Sequence, residues 1–202
     1  MRKWLSAIAV FLFVGGVFAY TSIFRITKNF YEVDPGRFYR SAQMTPAELE
    51  ETVQKFGIKT VISVRGYPQS ILNMEPEAQT LARLGVHFYK FDLSTDYFPP
   101  QQDLLEILNL FKSSPLPILV HCRSGADRTG LISAIYQIEE MKKPKSEAEN
   151  QLSFEFWHVR SFHPAMIKFL RLYQGREWAA FHYNICDYPE FNEDKQKCSR
   201  AK

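Results

Sequence analysis

The sequence predicts an α/β domain, a mainly parallel central sheet flanked by helices, with an N-terminal transmembrane helix. Three observations predict it. Short β-branched runs alternate with amphipathic helical patterns, those patterns carry recognisable caps and stops, and one long uncharged apolar stretch opens the chain. The 202 residues suffice for one ordinary domain plus a terminal appendage, and a hydrophobic content of 46% is what a packed core requires. The net charge of +3 gives no argument for nucleic-acid binding, and 17 Phe with 10 Tyr suit a compact core better than a disordered chain. The expected organisation is an anchor or signal peptide over 1–24, a folded domain over 25–180 and a C-terminal tail over 181–202.

After Arg2 and Lys3, the stretch Trp4 to Phe24 (WLSAIAVFLFVGGVFAYTSIF) carries no charge and is long enough for a helix to cross a bilayer. A cleaved signal peptide is the competing reading, with Val17-Phe18-Ala19 as the small-residue site. The apolar run continues through Tyr20, Ile23 and Phe24, which favours an uncleaved membrane anchor. Arg2 and Lys3 favour a cytoplasmic N-terminus and put the main domain on the extracytoplasmic side, the periplasm in a bacterium, although Arg25 and Lys28 add charge on the other flank. Cleavage would instead release the domain into the periplasm.

Along the folded part, Asp34-Pro35-Gly36 reads as a turn before an opening strand, Arg37-Phe38-Tyr39-Arg40. Thr45-Pro46-Ala47-Glu48 has the form of a capping box, with Leu49, Val53 and Phe56 as the buried stripe of a helix that Gly57 ends. Lys59 to Val64 is a strand, Pro76 to Leu84 a helix stopped by Gly85, and Val86 to Leu93 another strand. Leu104, Ile107, Leu108 and Phe111 fall at helical spacing, with Pro115 and Pro117 closing that helix off. Leu116 to Val120 reads as a buried strand. Leu131, Ile132, Ile135 and Ile138 mark the next helix, and Ser146 to Phe156 and Ala165 to Tyr173 two more. In such a sheet ligands bind beyond the carboxyl ends of the strands.

The chemistry is carried by His121-Cys122-Arg123-Ser124-Gly125-Ala126-Asp127-Arg128-Thr129-Gly130, between a strand and a helix. A loop feeding a helix N-terminus aims backbone N–H groups and the positive end of the dipole at one point, which makes an anion site. Arg128 adds a fork for two phosphate oxygens, and the same field favours a thiolate at Cys122, to which Thr129 can donate a hydroxyl hydrogen bond.

This loop, HCRSGADRTG, resembles the H-C-x-x-G-x-x-R-[ST]-G signature of the cysteine-based protein tyrosine and dual-specificity phosphatases. Over Tyr31 to Tyr173, with the FYRS opening and the AIYQIEEM helix, the chain looks like their compact bacterial dual-specificity type. The resemblance implies a catalytic domain in which Cys122 attacks phosphorus and Arg128 and the amides of Arg123, Ser124, Gly125, Ala126 and Asp127 hold the phosphoryl oxygens. Water then releases phosphate from a phospho-cysteine. It implies no metal and no cofactor. It also implies an upstream Asp that protonates the leaving oxygen. Asp96, in Leu93-Ser94-Thr95-Asp96-Tyr97-Phe98-Pro99-Pro100, is the expected acid, placed where a loop can swing over the site. Asp92 lies nearer a strand end, and Asp103 sits in the first turn of a helix, where an acid serves the dipole.

Phosphorylated proteins are the expected substrates. The Asp127-Arg128-Thr129 run also looks like loops of phosphatases acting on inositol lipids, which usually carry Lys as well, so phosphoinositides or inositol phosphates stand as the alternative. A silent phosphate-binding module, or an arsenate reductase or sulfurtransferase, is disfavoured by the presence of nucleophile, arginine and acid together. Arg65, His158 and His163 receive no role. Cys186 and Cys198 either close a small loop or remain two thiols.

Overall fold

The computed structural model describes residues 15–16, 27–65, 75–193 and 198. Five strands form one sheet: β1 (Tyr31–Asp34), β2 (Phe38–Ser41), β3 (Thr60–Ser63), β4 (His87–Lys90) and β5 (Ile118–His121), in spatial order β1-β2-β5-β3-β4. The helices are α1 (Pro46–Phe56), α2 (Glu75–Arg83), α3 (Gln101–Ser113), α4 (Asp127–Glu139), α5 (Lys145–Ala148), α6 (Pro164–Leu172) and α7 (Arg176–Phe181).

The parallel strands follow period-two logic with both faces covered. Phe38, Ile62, Ile118 and Val120 enter one core with Leu104, Ile107 and Leu108 of α3, Leu131 and Ile135 of α4, and Phe169 and Leu170 of α6. The alternate residues Tyr39, Val61 and Leu119 enter a second core with Leu49 and Val53 of α1 and Leu81 of α2. The capping box at Thr45 and Glu48 is present, and α1 ends at Gly57 in the left-handed region (φ 65°).

Three expectations are corrected. The opening strand lies earlier than Arg37-Phe38-Tyr39-Arg40: Tyr31–Asp34 pairs antiparallel with β2 across the Pro35-Gly36 turn, where Gly36 takes φ 68°, and adds one antiparallel edge to a sheet that is otherwise parallel as expected. The single helix expected over 146–156 is broken into α5 and two 3₁₀ turns, 149–152 and 154–156. Its backbone is diverted to a tertiary partner, since the Gln151 carbonyl accepts from Arg40 Nη1 at 3.0 Å. The N-terminal transmembrane helix is the third: among the described residues no helix is long and apolar enough to cross a membrane. The membrane anchoring, membrane partner and extracytoplasmic placement drawn from Trp4–Phe24 fall with it. Apart from Gly15 and Gly16, that stretch, with its alternative cleavage site, lies outside the described residues.

The register sets the site. Ser41 and Ser63 both align with His121, and Ser63 with Lys90, so four parallel strands end on one edge and the loops after them converge there.

Candidate active site

The loop from Cys122 to Ala126 joins the end of β5 to the start of α4. Its carbonyls are drawn outward one after another. The Arg123 carbonyl accepts from Gln43 N (3.3 Å), that of Ser124 from Asn29 Nδ2 (3.0 Å), and those of Gly125 and Ala126 from Arg40 Nη2 (2.6 and 3.5 Å). In a trans peptide the next residue's N–H points the opposite way, so these contacts turn a row of N–H groups inward. Gly125 is required by this geometry. It has φ 69°, and a Cβ there would stand 2.6 Å from backbone atoms of Ser41 and Ala42. Gly130 lets α4 meet the 149–152 turn, since its Cβ would stand 2.6 Å from the Gln151 carbonyl oxygen.

Cys122 sits fully buried at the centre of this loop. Burial pushes its thiol up, but the Arg128 charge, the Thr129 hydroxyl and the backbone N–H groups of Thr129 and Gly125 outweigh it and hold the pKa below the ordinary thiol value. Thr129 is itself fully buried, with no other partner for its hydroxyl. Arg128 Nη1 donates to the carbonyls of Arg65 and Leu93, the latter at 3.1 Å, tying the loops after β3 and β4 to the nucleophile loop. Its Nε is buried and unpartnered, so one edge of the guanidinium fork is left for oxygens of a phosphoryl group.

The arrangement predicts that alkylation of Cys122 by iodoacetamide persists to lower pH than that of an ordinary thiol, because the Arg128 charge and the hydrogen bonds to sulfur favour the thiolate. In Arg128→Ala the midpoint of the alkylation rate moves up by at least about one pH unit. An unmoved midpoint would overturn this account of the thiolate.

Other expected residues fall as follows. Arg123 is exposed at the mouth of the loop, Ser124 is half-buried, and Ala126 is buried as the residue before α4. Asp127 turns away from the anion site and pairs with the buried His158 (Oδ1 to Nδ1, 2.7 Å). Asp96 is exposed in the loop between β4 and α3, where its Oδ1 lies 3.0 Å from His163 Nδ1 and its N–H donates to Ser94 Oγ. Asp92 is exposed near the start of that loop. Asp103 lies in the first turn of α3, where burial, Glu106 and Asp92 raise its pKa.

Several supports of the site leave no mark in the sequence. Arg40 is fully buried and reaches the loop carbonyls described above, both oxygens of Gln151, and the Phe156 ring at 4.0 Å. His121 Nε2 lies 2.9 Å from the buried Glu77 carboxylate. Burial pushes the His121 pKa down, but Glu77 and the Cys122 carbonyl outweigh it and leave it raised. Glu77 in turn accepts from Gln43, which accepts from Arg65. His158 and His163, given no role from sequence, are the partners of Asp127 and Asp96. Their only signal was their closeness to Trp157 and to the start of a helix. Among the described residues, no three His, Cys, Asp or Glu gather as a metal site.

Comparison with known proteins bears on the family and the fold. Residues 21–164 match the family model described as DSP-PTPase phosphatase fused to NAD+ kinase. The fold is similar to the crystal structure of P. aeruginosa TpbA, with TM-score 0.60 and 22% identity over 76% of this chain and 92% of that one. TpbA in complex with pTyr gives 0.58 and 21%, over 72% and 84%. The core catalytic domain of the PP-IP phosphatase SIW14 from S. cerevisiae, in complex with citrate, gives 0.59 and 21%, over 74% and 87%. No curated protein matches the chain.

Proposed function

We propose, for a chain that belongs to the DSP-PTPase family and is a cysteine-dependent phosphatase, that it hydrolyses phosphate monoesters of phosphotyrosine, phosphoserine or phosphothreonine proteins through a phospho-cysteine. The observation that carries this reading is the buried Cys122 thiol, held below its ordinary pKa at the focus of a loop whose carbonyls are pulled outward.

In the first step Cys122 Sγ forms a bond to phosphorus as the ester P–O bond breaks. Arg128 and the loop N–H groups take the charge on the three equatorial oxygens. Asp96 gives its proton to the departing oxygen. In the second step water attacks phosphorus, the Asp96 carboxylate takes a water proton, and the S–P bond breaks to return the thiolate and inorganic phosphate.

The exposed Arg123 at the loop mouth favours a second reading, an inositol phosphate or phosphoinositide with several anionic groups. The likeness to a PP-IP phosphatase supports the same reading. A panel of phosphopeptides and inositol phosphates, assayed with native protein and Arg123→Ala, separates the two. A selective loss of inositol-phosphate turnover in the variant would favour the second.

The acid assignment predicts that Asp96→Ala lowers kcat on phenyl phosphate by about 10²-fold, because a phenolate leaves poorly without a proton. Hydrolysis of an ester with a much better leaving group falls far less. An unchanged kcat on phenyl phosphate removes Asp96 from the mechanism. Native protein that binds phosphate or vanadate but turns nothing over would instead make the chain a phosphate-binding module.

A further inference from the structure

The loop that carries Asp96 is held by the C-terminal segment. The Tyr183 hydroxyl donates to the Pro99 carbonyl at 2.7 Å, and both groups are buried. The Phe98 N–H donates to the Phe191 carbonyl at 2.9 Å. The Phe98 ring stacks on Phe191 at 4.4 Å with an interplanar angle of 11°, and lies 5.4 Å from the Tyr188 ring and 5.3 Å from Phe169 of the core. The arm supplying these contacts is closed on itself. Cys186 and Cys198 form a disulfide, and Asn192 Nδ2, just after Phe191, donates to Cys198 Sγ at 2.9 Å. At its other end the loop is tied to Arg128 through the Leu93 carbonyl. Between the two ties lie Ser94 to Tyr97, including Asp96.

We propose that the arm of residues 183–193, closed by the Cys186–Cys198 bridge, positions the acid loop, with Tyr183 and Phe191 as positioning residues and the bridge as the brace that keeps Phe191 seated. The inference rests on the reading of Asp96 as the acid. Fixing Phe98 and Pro99 leaves four residues to move, so the carboxyl group samples a small volume near the leaving oxygen. Without the bridge, Phe191 sits in an open chain end whose ordering must be established at each closure.

The test uses the full chain, as native protein, as Cys186→Ser/Cys198→Ser and as Tyr183→Phe, each alone and combined with Asp96→Ala. Phenyl phosphate needs the acid, whereas an ester with a strongly acidic leaving alcohol does not. Both substrates report on the same folded fraction, so their ratio is insensitive to partial unfolding.

The expected result is a fall in kcat on phenyl phosphate of about tenfold in the double-serine variant, part of the loss that misplacing a catalytic group brings. Tyr183→Phe gives a smaller fall in the same sense. Hydrolysis of the activated ester and alkylation of Cys122 stay unchanged, and neither arm change lowers the rate further once Asp96 is Ala. An equal fall on both substrates, an additive fall on top of Asp96→Ala, or no change overturns the proposal. If Asp96→Ala alone keeps its rate while the arm variants still lose phenyl phosphate selectively, Asp96 is misassigned and the arm positions another acid of that loop. If none of the variants changes the ratio, both readings fail.

Discussion

Cys122→Ser is expected to lower hydrolysis of an aryl phosphate by at least about 10⁴-fold while leaving phosphate binding in place. The two halves of this result have separate causes. Turnover is lost because a serine hydroxyl has a pKa far above that of a thiol. The field that stabilises the thiolate, from Arg128, Thr129 and the loop N–H groups, does not ionise it at neutral pH. Binding is kept because the loop N–H groups and Arg128 are arranged by contacts that do not involve sulfur. Those contacts are Gln43 N, Asn29 and Arg40 on the loop carbonyls, and the Arg65 and Leu93 carbonyls on Arg128. Vanadate titration by calorimetry, beside turnover of phenyl phosphate, checks both halves. Retained turnover would exclude the phospho-cysteine route, and lost binding would mean that the sulfur helps to build the cradle.

What the sequence disclosed follows from how far apart the participants lie. Cys122, Arg128 and Thr129 are near neighbours where one strand passes through a short loop into the first turn of α4, so spacing alone marked them. The capping box of α1 is equally local, and Thr45, Glu48 and Gly57 are found in the roles expected of them. Arg40 was legible only as part of a short alternating strand. Its partner Gln151 lies 111 residues away, and nothing in either neighbourhood records the pairing. The same long-range contact ended the helix expected over 146–156, a case of tertiary structure overriding local preference. The edge strand β1 was missed because a four-residue strand with a half-exposed pattern carries little periodic signal. The seating of Phe191 on Phe98 was illegible for another reason: aromatic residues in a polar chain end do not say what they stack on.

Arg40→Ala is expected to destabilise the domain by about 3–5 kcal/mol and to lower turnover by at least about 10²-fold. Arg40 is 0% exposed, and burial draws its pKa down to about 9 against the opposing charges of Cys122, Tyr31, Glu155 and Asp127. It remains cationic at neutral pH because its Nη atoms meet the Gln151, Gly125 and Ala126 oxygens. Truncation takes their donor from the buried Gln151 and Gly125 oxygens, whereas the Ala126 carbonyl keeps the Gly130 N–H, and it opens a cavity beside Phe156. The nucleophile loop feels the change directly. With the Gly125 carbonyl released, the peptide that follows it is free to turn, and one inward N–H is lost from the anion site. The thiolate also loses a nearby positive charge, so the alkylation midpoint of Cys122 should rise. Arg40→Lys separates charge from geometry. An ammonium restores a cation but cannot present the planar fork that reaches Gln151 on one side and Gly125 on the other. Its expected phenotype is therefore a thiol midpoint near native with turnover still depressed. Urea unfolding, the alkylation profile and kcat measured on the three proteins decide the matter. Native turnover in Arg40→Lys would show that charge alone is what the loop needs from this residue, whereas a low midpoint retained in Arg40→Ala would show that Arg128 and the loop N–H groups suffice to hold the thiolate.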